Sequence, residues 1–298
     1  MVEDSRQRQW SGKTGGGNFG QRFLFWFLKR VRVKFLYPVL YLVVPFYCIV
    51  NHKAFGCIYR YFKEIHHFSG WKSLVSTVRN HLIFGHVVLD RFAIMAGNEK
   101  QFDVDIPDAH VFNDMLSLPH GFIVAGAHIG NFEAVGHFFN QDMKKINILV
   151  FDGENPDFQA RRQASFLAHN VNMIPVKADM SHIFAVKEAL DHGEIVAIVC
   201  DRMFGSTKAV EVEFIGRQAK FPLGAFLLAA QWEVPVVALS VVRERGSRYR
   251  GFVSQLPAPP RGNIRSRSQF FAREYAAFLE DVLRQYPEQW FNFYDFWE

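Results

Sequence analysis

The stretch Gly121–Glu133, GFIVAGAHIGNFE, is the feature that most constrains how this chain can fold. Phe122-Ile123-Val124-Ala125 is an apolar run without polar alternation, closed by Gly121 and Gly126. Such a run suits a strand buried on both faces, as in a parallel sheet. The chain then passes His128 and the Gly130-Asn131 pair and enters a helical pattern carrying Phe132, Val135, Phe138 and Phe139. His128 is thus expected where a strand hands over to a helix, the edge of an α/β sheet at which ligands bind. Glu133 follows five residues later. If the turn folds back, its carboxylate reaches the imidazole and fixes the tautomer whose other nitrogen faces outward, the base-plus-orienter pair that acyl transfer uses. By itself, a His followed by a Glu is as compatible with a purely structural role.

After Asp105-Ile-Pro the sequence alternates strand and helix patterns. Strands are expected near 121–127, 146–151, 172–176, 195–200, 210–215, 234–242 and 248–254. Helices are expected near 131–141, 157–169, 180–192 and 222–232, with a long last helix from about Ser266. Short gaps between strands and crossover helices imply an α/β fold, a mostly parallel central sheet with helices on both faces. No linker divides residues 62–298, which read as one catalytic domain. In front of it come a polar, glycine-rich tail over 1–18 and a membrane-anchoring helical segment over 19–61.

That segment carries a charge asymmetry hidden by the overall +5. Residues 1–63 hold 11 Lys/Arg against Glu3 and Asp4, while the remainder is net acidic. Aromatic FLFWFL precedes Lys29, Arg30, Arg32 and Lys34, and an uncharged run from Phe35 to His52 follows. The run contains Pro38 and Pro45 and falls short of the ~20 apolar residues of a spanning helix. A monotopic or re-entrant anchor on anionic lipid is favoured, with a buried helical hairpin or a single span as alternatives. Such a basic, aromatic-rich head points to membrane lipids; no nucleic acid partner is expected.

Cys48, Cys57 and Cys200 are unevenly spaced with no CxxC, which argues for a reducing compartment and no disulfide framework. Cys200 reads as a small hydrophobe ending a buried strand. His66, His67, His81 and His86 match no metal-ligand spacing, Gly12-Lys13-Thr14 lacks the first glycine of a phosphate loop, and no GxSxG elbow is present. No metal or cofactor is expected.

Several stretches resemble one family in order: FGHVVLDRFAIMAG at 84–97, AHIGNFE at 127–133, CDRMFG at 200–205, VEFIGRQAKFPLGAFLLA at 212–229 and the C-terminal EQWFNFYDFW. Together they resemble the glycerolipid and lysophospholipid acyltransferases, and more narrowly the bacterial late acyltransferases of lipid A biosynthesis, with their His-x4-acid motif. The resemblance implies a general base at His128 steadied by Glu133. It also implies an acyl-carrier-protein thioester as donor, with acyl-CoA second, and a hydroxyl or amine on a lipid-like acceptor. It further implies a place on the cytoplasmic face of a bacterial inner membrane. A thioesterase or lipase using the same pair, and an acyl-binding scaffold, are the alternatives.

Backbone amides of Gly130 and Asn131 are candidates for the oxyanion, Asn131 serving equally well as a helix N-cap. Where the family often places an arginine after the second strand, this chain reads Phe151-Asp152-Gly153. Arg161 and Arg162 are the nearest substitutes, unless they are ordinary solvated helix residues. Asp201-Arg202-Met203-Phe204-Gly205 resembles the family's Asp-x-Asp-aromatic-Gly block with Met203 in place of the second acid. Asp201 is expected to orient the acceptor or to steady the active-site loops, Arg202 is expected among the substrate-binding residues, and Gly205 lets the backbone approach. Lys220-Phe-Pro-Leu-Gly224 is read as opening a helix with Pro at its first turn; Gly224 leaves room for substrate or permits close helix packing.

Overall fold

The computed structural model describes residues 24–134, 136, 144–151, 156–167, 169–177, 179–203 and 208–297. A short helical turn near 24–28 and a 3-10 turn, Val33–Phe35, lead into α1 (Tyr37–Val50) and α2 (His52–Arg60), which continues as a π turn, Tyr61–Ile65. The long α3 (Gly70–Met95) follows, then β1 (Asp103–Asp105) and α4 (Ala109–Leu116). Next come β2 (Phe122–Gly126), β3 (Ile146–Phe151), α5 (Pro156–Leu167), β4 (Val171–Val176), α6 (His182–Asp191) and β5 (Ile195–Val199). The chain closes with β6 (Ala209–Phe214), β7 (Arg217–Pro222), α7 (Gly224–Trp232), β8 (Val236–Arg243), β9 (Arg248–Gln255) and α8 (Ile264–Gln285).

Seven strands form the main sheet in the order β1-β9-β8-β2-β5-β3-β4, parallel throughout except for the antiparallel β8–β9 pair. β2 lies at its middle, and all five of its residues are buried, as the unalternated run predicts. Ile123 and Ala125 pack into a core shared with α6, α7 and α8. Phe122 and Val124 pack into a second core under α3, α4 and α5. Successive side chains of a strand point to opposite faces, so one strand anchors both layers.

Two sequence expectations change. Pro222 ends a strand and does not begin a helix: β6 and β7 form a separate antiparallel hairpin, and α7 starts at Gly224. The two residues at its tip, Ile215 and Gly216, both have positive φ (50° and 73°), the tight two-residue turn whose twist matches paired strands. The prolines also do not interrupt the apolar run near the N-terminus. Pro38 occupies the first turn of α1, where its missing N–H costs nothing, Pro45 lies inside the helix, and the break comes at Asn51. There the chain bends by 92°. No single helix among the described residues is long and apolar enough to cross a membrane, although α1 with the following helix passes that test as a bent pair.

α1 rests on α3 through Leu40 and Val44, over the small Gly85. Its opposite side is open, with Leu42 79% and Ile49 77% exposed and Phe46 beside them. The expected helix near 131–141 begins as a 3-10 turn, Phe132–Ala134; most of its remainder, with Val135, Phe138 and Phe139, lies outside the described residues.

Candidate active site

β2 and β5 run parallel with Gly126 opposite Val199. Two residues beyond each, at the C-terminal ends of both strands, stand His128 and Asp201. The register carried into the loops sets them side by side: His128 Nδ1 lies 2.7 Å from Asp201 Oδ1. The other carboxylate oxygen accepts the His128 backbone N–H at 2.9 Å and the Trp290 indole N–H at 2.9 Å. Asp201 is fully buried, whereas the His128 side chain is 30% exposed. Burial alone would raise the Asp201 pKa, but His128, Arg202 and the Trp290 donor hold it at about 2. An ionised carboxylate only accepts. Nδ1 therefore carries the proton, and the lone pair sits on Nε2.

Burial and the neighbouring Arg202 and Arg91 guanidiniums push the His128 pKa below its ordinary 6.5, against the pull of Asp201. The imidazole is thus neutral at physiological pH and ready to take a proton. Of the charged groups around it, Asp201 favours the protonated ring and the two arginines oppose it; the Glu133 charge is also within electrostatic reach. The acid limb of kcat/KM for any reaction based on His128 is expected below pH 6.5, measured by initial rates across a pH series.

The loop bearing His128 is held by the C-terminal segment, which pairs with it through an isolated β-bridge. Ile129 bridges Trp290, Phe291 N–H donates to His128 O at 2.9 Å, and Gly130 N–H donates to Gln289 O at 2.9 Å. On the other side Asn131 N–H donates to Val241 O at 2.7 Å. These bonds correct one expectation: the Gly130 and Asn131 amides are tied to the Gln289 and Val241 carbonyls and are not free for a substrate. The Asn131 side chain makes no helix-capping bond either; the residue is buried beside Tyr249.

α3 holds the segment from outside. Asn80 Nδ2 donates to Glu288 O at 3.0 Å and Trp290 O at 2.9 Å, and Ser76 Oγ donates to the Glu288 carboxylate at 2.7 Å. Gln289 exchanges hydrogen bonds with both backbone groups of Arg243, each 2.7 Å. Arg202 donates to Phe291 O at 2.6 Å, so it also secures this segment. Trp290 is buried against Tyr61, Phe214, Phe296 and Trp297.

Glu133 departs most from expectation. Beyond Gly130 the chain doubles back so tightly that the Phe132 ring covers Gly126, where an added Cβ would meet the ring at 2.1 Å. The following residue is carried toward α3. Among the described residues, the Glu133 carboxylate pairs with Arg91 of α3, in close contact, and with Arg162 of α5 at 3.5 Å. Burial works against its charge, but the two arginines keep its pKa below the usual range. The Nδ1 side of His128 faces Asp201, so the acid that meets the imidazole is Asp201 and not Glu133.

The remaining expected residues fall as follows. Arg162 is buried against Glu133. The side chain of Arg161 and all of Gly205 lie outside the described residues. Gly224 is exposed, and a Cβ there would meet nothing within 4 Å, so helix packing does not explain it. Cys200 is buried and its thiol pKa is pushed up by burial, consistent with a core role. Sequence reasoning missed Arg91 and Trp290. Both lie in the stretches that carry the resemblance, but a lone Arg on an amphipathic helix and a Trp in an aromatic tail give no signal of their own.

The family model described as bacterial lipid A biosynthesis acyltransferase matches residues 72–298. The chain belongs to that family. The matched span contains His128, Glu133, Asp201, Arg91 and Trp290, and begins within α3. Membership supports a lipid acyltransferase activity. No curated protein matches the chain in sequence. Among solved structures, it is similar to the 1-acyl-sn-glycerophosphate (LPA) acyltransferase PlsC from Thermotoga maritima, at 10% identity and a TM-score of 0.41. That similarity covers 83% of this chain and 99% of that one.

Proposed function

We propose that this acyltransferase moves a fatty acyl group from a carrier-protein or CoA thioester to a hydroxyl or amine of a lipid-like acceptor, with His128 as general base. The observation that carries this reading is the His128–Asp201 pair at the C-terminal edge of the parallel sheet. His128 Nε2 takes the proton from the acceptor as its oxygen or nitrogen attacks the thioester carbonyl. The tetrahedral intermediate collapses, the C–S bond breaks, and the proton passes to the departing thiolate. Asp201 keeps the ring in the productive tautomer and stabilises the imidazolium, as a buried acid does in related dyads. The test is thiol release from a long-chain acyl thioester with and without inner-membrane lipid extract. Release that depends on the extract, with label entering lipid, supports transfer. Equal release without it, yielding free fatty acid, means a hydrolase.

The reading also has the protein lying on the cytoplasmic face of the inner membrane. The exposed apolar side of α1 and the Lys29, Arg30, Arg32 and Lys34 cluster support this. Apolar insertion and charge attraction respond differently to salt, because charges are screened over about 8 Å at physiological ionic strength. Replacing the four cations by Gln is expected to weaken binding to anionic vesicles mainly at low salt. L42S/I49S is expected to weaken it at every salt concentration. Co-sedimentation measures both; complete release of the wild type by high salt alone would refute insertion.

A further inference from the structure

The acid of the His-x4-acid motif does not touch the histidine, and the amides that would ordinarily receive the oxyanion are tied to Gln289 and Val241. Negative charge developing on the thioester oxygen must therefore be met by another donor. Arg91 is the candidate: its guanidinium pairs with Glu133 and lies close enough for its charge to act on the His128 ring. Its neighbour on α3, Asp90, is fully buried and fixed by Tyr37 Oη at 2.7 Å, by Arg243 Nε at 3.1 Å and by Tyr249 Oη in close contact. The helix is thus rigid where Arg91 leaves it. The Arg91 side chain remains 28% exposed and ends on the Glu133 carboxylate. A guanidinium has five N–H donors in a planar fork, more than one carboxylate takes up.

We infer that Glu133 is a positioning residue for Arg91, and that Arg91 is the catalytic residue that donates to the oxyanion. This rests on the acyl-transfer reading above. As the acceptor attacks and the carbonyl π pair moves onto oxygen, an Arg91 N–H donates to that oxygen; on collapse the pair returns to the C=O bond as the C–S bond breaks. Glu133 stays ionised throughout. Arg162, on its other side, helps to fix the carboxylate. The two acids near His128 thus divide the work: Asp201 sets the base, and Glu133 sets the cation.

Two measurements on the full-length protein test this. The first is thiol release from a long-chain acyl thioester of carrier protein, with inner-membrane lipid extract as acceptor. R91A and E133Q are each expected to lower kcat about 10²–10³-fold with little change in KM. The R91A/E133Q double variant is expected to be no slower than the worse single one, because both remove the same interaction. Added guanidinium should restore part of the R91A rate and none of the H128A rate. R91K keeps the charge without the fork and should fall between; it guards against a folding defect, which thermal melting also monitors. Losses that multiply in the double variant, or near-wild-type turnover by R91A, would overturn the proposal.

The second measurement is 15N NMR of the His128 ring through a pH titration. D201N should change the tautomer and move the titration to lower pH, while E133Q should leave the tautomer as in wild type. A tautomer change in E133Q overturns the division of roles. This arm does not depend on turnover. If the wild type releases no more thiol than H128A, acyl transfer falls, and the ring spectrum still decides which acid serves the histidine.

Discussion

His128→Ala is expected to lower thiol release from an acyl thioester by about 10²–10⁴-fold, the range of a lost general base, without unfolding the protein. The side chain is partly exposed, and its Nδ1 faces Asp201. Asp201→Asn should cost about 10⁴-fold, although its shape is nearly unchanged. An amide in that place offers an N–H where Nδ1 needs an acceptor and favours the wrong tautomer. It also weakens the bonds from the His128 amide and the Trp290 indole, since Oδ2 receives both. A modest loss of stability should therefore accompany D201N and not H128A. Comparison of kcat/KM and melting temperature for the two variants checks the pair. Turnover of D201N within a few-fold of wild type would refute the dyad.

Gly130→Ala is expected to damage both stability and activity, and here the cause is backbone geometry. Gly130 has φ +58°, and a Cβ at this position would lie 2.0 Å from Val241 O and 2.8 Å from Val242 Cα. A left-handed conformation costs a non-glycine residue about 1–3 kcal/mol in tight surroundings. The overlap adds more, because relief requires β8 to part from the catalytic loop. The bonds at risk are Gly130 N–H to Gln289 O and Asn131 N–H to Val241 O. The first ties the His128 loop to the C-terminal segment, and the second ties it to β8. A fall in melting temperature of roughly 5 °C or more is expected for a chain of this size, with turnover lost before global unfolding. Calorimetry and thiol release on the same preparation measure both effects. Gly224→Ala, where a Cβ meets open space, is the matched control and should melt near wild type.

Much of the architecture was readable from residue order because β2 advertises itself. Phe122-Ile123-Val124-Ala125 lacks alternation, and only a strand with cores on both faces tolerates that. The Gly126 and Gly130 breaks around His128 then placed the histidine at the C-terminal edge of the sheet. β7 was misread because RQAKFP pairs only with its own hairpin partner, so its pattern is weak, and the proline at its end resembles a helix start. The Ile215-Gly216 turn that defines the hairpin is a two-residue signal, easily lost between longer patterns.

The sequence by itself determined where His128 lies: a buried strand followed by a glycine break puts it at the C-terminal edge of the sheet. It also determined the class of chemistry, through the ordered stretches that the family shares. Which acid faces that histidine was decided by tertiary structure alone. Glu133 is five residues from His128 in the chain, Asp201 is 73 away, and proximity in sequence favoured the first. The parallel pairing of β2 with β5 puts position 128 beside position 201, while the tight turn over Gly126 carries Glu133 off to Arg91. Strand register and a doubled-back turn are set by packing between distant segments, so no reading of the motif alone could have assigned the partner.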